Sequence, residues 1–147
     1  MKVTMLLADA AQAIGGKLYI LGGGWSVTGP HPTAAAIALK IEVPWDEANR
    51  PHALALELVN ADGRPVLVPS GPDAEPRPVE IRGEFEVGRP TGLTPGTALD
   101  AVLAINLGPL PALALGRYVW RLSINGASHD EWQVGFTVRA APAGRAV

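Results

Sequence analysis

The chain has 147 residues with 12 Lys or Arg against 14 Asp or Glu, a formal net charge of -2 and no cysteine. The basic residues are scattered and outnumbered, which excludes the stripe that a row of phosphates requires and with it nucleic acid as a partner; the missing thiols exclude a disulfide framework, thiolate metal sites and a cysteine nucleophile. A chain of this length buries roughly 68–70% of its unfolded surface, so the expectation is one domain over residues 1–139 and a frayed tail of small residues over 140–147.

Residues 3–8, Val-Thr-Met-Leu-Leu-Ala, form an apolar strand. Asp9 stops it short of the ~7–15 residues of a signal-peptide core, and Ala8-Asp9-Ala10 only imitates a cleavage site. No run approaches the ~18 apolar residues of a membrane helix, so a cytoplasmic protein with no membrane partner is expected. The abundance of Ala, Gly, Pro and Arg points to a GC-rich bacterial genome. Residues 8–14 and 112–115 are the only segments that admit a helix, each of about one or two turns. Gly15-Gly16 is a turn, 17–21 a strand, and Gly22-Gly23-Gly24 a bend or a place where another backbone comes close.

From here the dominant period is two. Ile37, Leu39, Ile41 and Val43 alternate against Ala38, Lys40 and Glu42, and Pro44 closes that strand because it has no N–H to give a ladder. Leu54, Leu56 and Leu58 repeat the pattern, and 60–63, Asn-Ala-Asp-Gly, form a hairpin turn into Val66-Leu67-Val68. Val79, Ile81, Gly83, Phe85 and Val87 lie on one face with Glu80, Arg82, Glu84 and Glu86 on the other. Residues 99–107 are apolar on both faces, since Val102 and Ala104 oppose Leu99, Ala101, Leu103, Ile105 and Leu107; this strand is either central or covered by another surface. Tyr118, Trp120, Leu122 and Ile124 point inward, Asn125-Gly126 tolerates a positive-φ turn, and Trp132, Val134, Phe136 and Val138 return as the second arm of an antiparallel hairpin. The connection between the arms is about six residues. Pro-rich connectors at 29–32, 69–78, 89–95 and 108–111 separate these runs. About seven to nine short strands spaced in this way read as an all-β chain, an antiparallel sandwich or barrel.

The order of residues 1–25 is distinctive: a strand ending at Ala8-Asp9, then Gly16-Lys17-Leu18, then Gly22-Gly23-Gly24-Trp25. It resembles a family of short bacterial proteins catalogued as a domain of unknown function. The likeness is best over residues 1–60, with 58–66 and the last hairpin similar in style. The resemblance implies an immunoglobulin-like or related Greek-key β-sandwich and brings no catalytic residue with it.

Enzyme motifs fail on inspection. A phosphate loop needs Lys and Ser or Thr before a helix, whereas Trp25 follows the glycines and Pro30 and Pro32 oppose a helix. Gly24-x-Ser26-x-Thr28 lacks the second glycine of a nucleophile elbow. His31, His52 and His129 are far apart, and the side chains of His129, Asp130 and Glu131 alternate along an extended chain, so a solvated loop is expected in place of a metal site. Asp9 reads as an Asx turn.

Four tryptophans stand out beside two Phe and two Tyr. Trp120 and Trp132 are expected in the core. Trp25 and Trp45 adjoin bends, where an indole either packs over the end of the domain or contacts a ligand; Trp45 and Asp46, in Pro44-Trp45-Asp46-Glu47, make the exposed patch. The expected function is a non-enzymatic binding or assembly module that contacts a protein partner or a second copy of itself, without a cofactor. The apolar strand 99–107 and Ala34-Ala35-Ala36 are candidate contact surfaces. The alternatives are a carbohydrate- or small-ligand-binding protein using Trp25 or Trp45, and a hydrolase whose acid and base are Asp9 and Asp46.

Overall fold

The computed structural model describes residues 1–31, 35–69, 71–108 and 112–140. Of the expected features, most of the 140–147 tail, Ala34 and part of the 108–111 connector lie outside the described residues. The protein is all-β. Its strands are β1 (Lys2–Ala8), β2 (Ala10–Ile14), β3 (Lys17–Leu21), β4 (Val27–Thr28), β5 (Ala35–Val43), β6 (His52–Asn60), β7 (Leu67–Val68), β8 (Arg77–Pro78), β9 (Glu80–Phe85), β10 (Leu99–Leu107), β11 (Gly116–Ile124) and β12 (Gln133–Val138). A single 3-10 turn at Trp45–Glu47 is the only helical element among the described residues, where no helix is long and apolar enough to cross a membrane.

A three-stranded sheet has the order β1-β5-β10 and a five-stranded sheet the order β4-β12-β11-β6-β9; β2-β3 and β7-β8 are separate two-stranded ladders. All pairings are antiparallel except that of β4 with β12. The period-two pattern sets which side chains meet. Ile37, Leu39, Ile41 and Val43 from β5 form one buried cluster with Leu54, Leu56 and Leu58 from β6, Trp120 and Leu122 from β11, and Phe136 and Val138 from β12. Trp120 and Trp132 both belong to it, as the alternation predicts. Burying each such side chain is worth roughly 1.5–3 kcal/mol or more, so this cluster holds the two larger sheets together without a covalent link.

The other face of β5 is dry at one end and wet at the other. Register aligns Leu6, Ala38 and Ala104 across the sheet, then Ala8, Ala36 and Asn106. Further along the same face, Lys40 pairs with Asp100 and Lys2 with Glu42, both at 3.8 Å. Over the alanine rows lies the hairpin β2–β3, forming a second small cluster of Ala8, Ala11, Ala36 and Ala38, with Leu18 and Ala104 against it.

Neither of the two segments that admit a helix forms one. Residues 10–14 are a strand because Gly15 and Gly16, with φ of 59° and 75°, make a two-residue turn that brings Leu18 and Ile20 back as ladder partners for Ala13 and Ala11. Seven residues are too few to hold a helix against that pairing. Residues 112–115 form no helix either. The strand 99–107 is an edge strand, and its second apolar face is explained by the hairpin that covers Ala104. After the turn at 60–63, where the Asn60 side chain accepts from the amides of Asp62 and Arg64, Pro65 and Val66 stay beside β6, and Leu67 and Val68 turn away to pair with β8.

Candidate interaction surface

The hairpin β2–β3 is built by its sequence to lie on one face and show the other. A two-residue turn makes its flanking pair, Ile14 and Lys17, a hydrogen-bonded one, and alternation along the ladder gives Gln12–Tyr19 and Ala10–Leu21 the same character. Ala11, Leu18 and Ile20 then direct their N–H and C=O groups away from the partner strand. On the β2 side, the Asn106 amide takes both groups of Ala11: Nδ2 donates to the Ala11 carbonyl at 2.9 Å, and Oδ1 accepts from the Ala11 N–H at 3.3 Å. This amide replaces a neighbouring strand and clasps the hairpin to the edge of β10.

Glycines let the chain cross itself at the base. Asp9 N–H donates to the Leu21 and Gly22 carbonyls, and Gly24 N–H to the Leu7 carbonyl at 2.7 Å. At Gly22, with φ of 59°, a Cβ would overlap the Asp9 carboxylate, and at Gly23 it would meet Ile20. The glycine run is therefore a close backbone approach, one of the two readings its sequence allows.

The outward face is apolar. Ile14 is 57% exposed, Tyr19 54% and Leu21 70%. Between Asp9 and Trp25 the only charged residue is Lys17. Ala10, Ala11, Gln12, Tyr19, Leu21 and Asn106 line a cavity of about 360 Å³ beside this face. Neither Tyr19 nor Leu21 is singled out by sequence. The missed signal is that strand 17–21 carries apolar residues at consecutive positions, so one face must be wet wherever the other packs.

The residues singled out by sequence lie elsewhere. Trp45 and Asp46 border an open groove of about 560 Å³ with Met1, Lys2, Glu42, Pro44, Gly96 and Ala98. The Arg89 guanidinium stands 4.9 Å from the Trp45 ring centre and donates to the Trp45 carbonyl at 2.7 Å. Trp25 packs edge-on against Phe136 at 6.0 Å, and its Nε1 is buried without a hydrogen-bond acceptor among the described residues. Phe136 stacks on Tyr118, which pairs with Asn60 at the end of β6, whereas Glu47 bonds His52 at its start. The two indoles therefore lie toward opposite ends of a strand about 30 Å long.

Asp9 and Asp46 are separated in the same way. Asp9 follows Ala8, opposite Ala36, and Asp46 lies beyond Val43 at the other end of β5. Roughly seven strand residues, about 24 Å, divide them, far beyond the ~6.5–9.5 Å of an inverting carboxylate pair. No group of three metal-ligating side chains forms among the described residues. In the 128–131 loop His129 packs edge-on against Trp132 at 4.4 Å, with Asp130 and Glu131 exposed. His52, unremarkable in sequence, is 1% exposed. Its Nε2 lies 2.8 Å from the Glu47 carbonyl and its Nδ1 3.0 Å from the Asn125 amide nitrogen. An amide N–H can only donate, so Nδ1 accepts and Nε2 carries the proton. Asn125, at φ 52°, also accepts from Ala53 N–H, so this trio ties the β11–β12 turn to the start of β6.

No curated protein and no solved structure matches the chain. The model of a family of unknown function, DUF6941, matches residues 3–138, and the protein belongs to that family.

Proposed function

We propose that the protein is a non-enzymatic binding or assembly module that contacts other protein through the β2–β3 hairpin. In this reading the two larger sheets are the layers of a sandwich related to Greek-key folds, and the hairpin is a partial third layer whose outer side is the working surface. The observation that carries the reading is the concentration of exposed apolar side chains, Ile14, Tyr19 and Leu21, on one nearly uncharged element. Exposed apolar surface gathered in one patch marks interaction sites more often than scattered residues do. A photo-crosslinking residue placed at Tyr19, in cells of the protein's own organism, should attach the chain to protein. The same residue at Arg82, on the outer face of β9, should not. Absence of a protein adduct from position 19 overturns the reading.

The second reading is binding of a carbohydrate or small ligand in the Trp45 groove. It is favoured by an indole whose position is fixed by Arg89, with the carboxylates of Asp46 and Glu42 around the same opening. Titration with a glycan panel, followed by tryptophan fluorescence in wild type and Trp45→Phe, tests it; a response that survives the substitution refers to another indole.

A further inference from the structure

We infer that β3 pairs edge to edge with β3 of a second copy of the chain, antiparallel, about a two-fold axis at Tyr19; the inference rests on the hairpin being the interaction surface. The hydrogen-bond pattern set by the Gly15–Gly16 turn leaves the N–H and C=O groups of Leu18 and Ile20 pointing out of the hairpin. On β2 the equivalent groups of Ala11 are taken by Asn106. On β3 no neighbouring strand is present among the described residues. An unpaired edge of this kind is complementary to another extended strand, and natural sheets usually blunt it with proline, a bulge or charge. Strand β3, Lys-Leu-Tyr-Ile-Leu, has one Lys at its end and none of the other devices.

The occupant is a second copy because the register is self-complementary. Placing Leu18 opposite the partner's Ile20 uses all the outward groups in reciprocal pairs and sets Tyr19 against the partner's Tyr19 in a non-hydrogen-bonded pair, with Cα atoms about 4.5 Å apart. Lys17 then lies opposite the partner's Leu21, where its aliphatic stem covers the most exposed large apolar side chain of the hairpin while the ammonium stays in water. The two Lys17 residues are four strand positions apart, about 14 Å. That exceeds the ~8 Å screening length of physiological salt, so their repulsion is slight. Edge pairing of two five-residue strands buries far less than the ~800 Å² per partner of a standard interface. A dimer with so small an interface is weak and reversible.

The absence of native thiols gives a direct test. In Tyr19→Cys the introduced cysteines sit within disulfide range of each other, and mild oxidation should yield a covalent dimer. Lys17→Cys, whose copies are about 14 Å apart, should not cross-link under the same conditions. Sedimentation of wild type should show a concentration-dependent dimer. Ile20→Pro, which removes an outward N–H and spares the hairpin's own ladder, should raise the dissociation constant at least tenfold. A chain that stays monomeric into the high micromolar range overturns the inference, as does a dimer that oxidation of Tyr19→Cys fails to trap and Ile20→Pro fails to weaken. Photo-crosslinks from position 19 to a different protein would also overturn self-pairing while leaving the hairpin as the interaction surface.

Discussion

Replacing Asn106 with Ala should release the hairpin from β10 without unfolding the two larger sheets. The lost contacts are the 2.9 Å bond to the Ala11 carbonyl and the longer, 3.3 Å bond from the Ala11 N–H. Net side chain–backbone bonds of this kind contribute about 0.5–1.5 kcal/mol each, and the longer one belongs at the low end. Asn106 is itself exposed, so water can reach the site it vacates and no full desolvation penalty is added. The total is about 1.5 kcal/mol, close to a tenfold change in the local opening equilibrium. Amide hydrogen exchange reads this directly. The Ala11, Asp9 and Gly24 amides, whose acceptors lie at the base and clasp of the hairpin, should exchange about tenfold faster. Amides of β11, such as that of Leu122, should be unaffected. If the hairpin amides keep wild-type rates, or β11 accelerates equally, Asn106 is not a local clasp and the division of the molecule into a core and a docked hairpin is wrong.

Other substitutions probe the rest of the structure. His52→Ala leaves the Glu47 carbonyl and the Asn125 amide without their partner and opens a gap beside Phe85, which stacks on the ring at 5.3 Å; denaturant unfolding should show a loss of about 3 kcal/mol, and a loss below about 1 kcal/mol would remove the trio as a structural tie. Gly22→Ala places a Cβ on a left-handed residue and against the Asp9 carboxylate. It should cost at least about 1–2 kcal/mol, part of which Asp9→Gly restores in the double variant; strict additivity of the two changes contradicts the close approach. Trp25→Phe removes the buried, unbonded Nε1 together with some apolar area. These effects oppose each other, so thermal unfolding should be nearly unchanged, whereas Trp25→Ala should cost about 3 kcal/mol.

Legibility in the sequence follows burial on one face. Strands with one dry and one wet face, such as β9 and β11, stand out through alternation; the inward residues of β11 are those expected, whereas on β9 Ile81 and Phe85 are shielded and Gly83 is exposed. Strand β10 is harder to read because its two apolar faces serve different neighbours, the main cluster on one side and the hairpin on the other. The hairpin itself is half hidden: Ala10 to Ala13 carry almost no alternation, because small side chains are what permit close packing on the alanine rows of β5. The candidate surface escapes a sequence reading for a related reason. Trp45 and Trp25 are conspicuous as residues, yet Trp25 packs on Phe136 and Trp45 carries a guanidinium. Tyr19 and Leu21 become conspicuous only once β2 and β3 are seen to form a layer with nothing on its outer side among the described residues. Asn106 carries no sequence signal, since its role depends on the register of three strands.

Anchoring of the hairpin and recognition by it are separable, and the two can be told apart by affinity. If β3 pairs with a second copy only while both hairpins are docked, the observed dissociation constant is the intrinsic one divided by the square of the docked fraction. The docked state is supported by the alanine cluster, the Asp9 and Gly24 bonds and the Asn106 clasp together. Losing the clasp multiplies the open population by about ten, but a fraction that starts far below unity stays small. Asn106→Ala should therefore accelerate exchange in the hairpin while changing the dimer dissociation constant by less than about twofold. Ile20→Pro should do the reverse, raising the dissociation constant and leaving Ala11 exchange close to wild type. If Asn106→Ala weakens dimerisation as much as it accelerates exchange, then the hairpin is substantially open in the free protein and docking is coupled to pairing, with the second copy completing the fold of this layer.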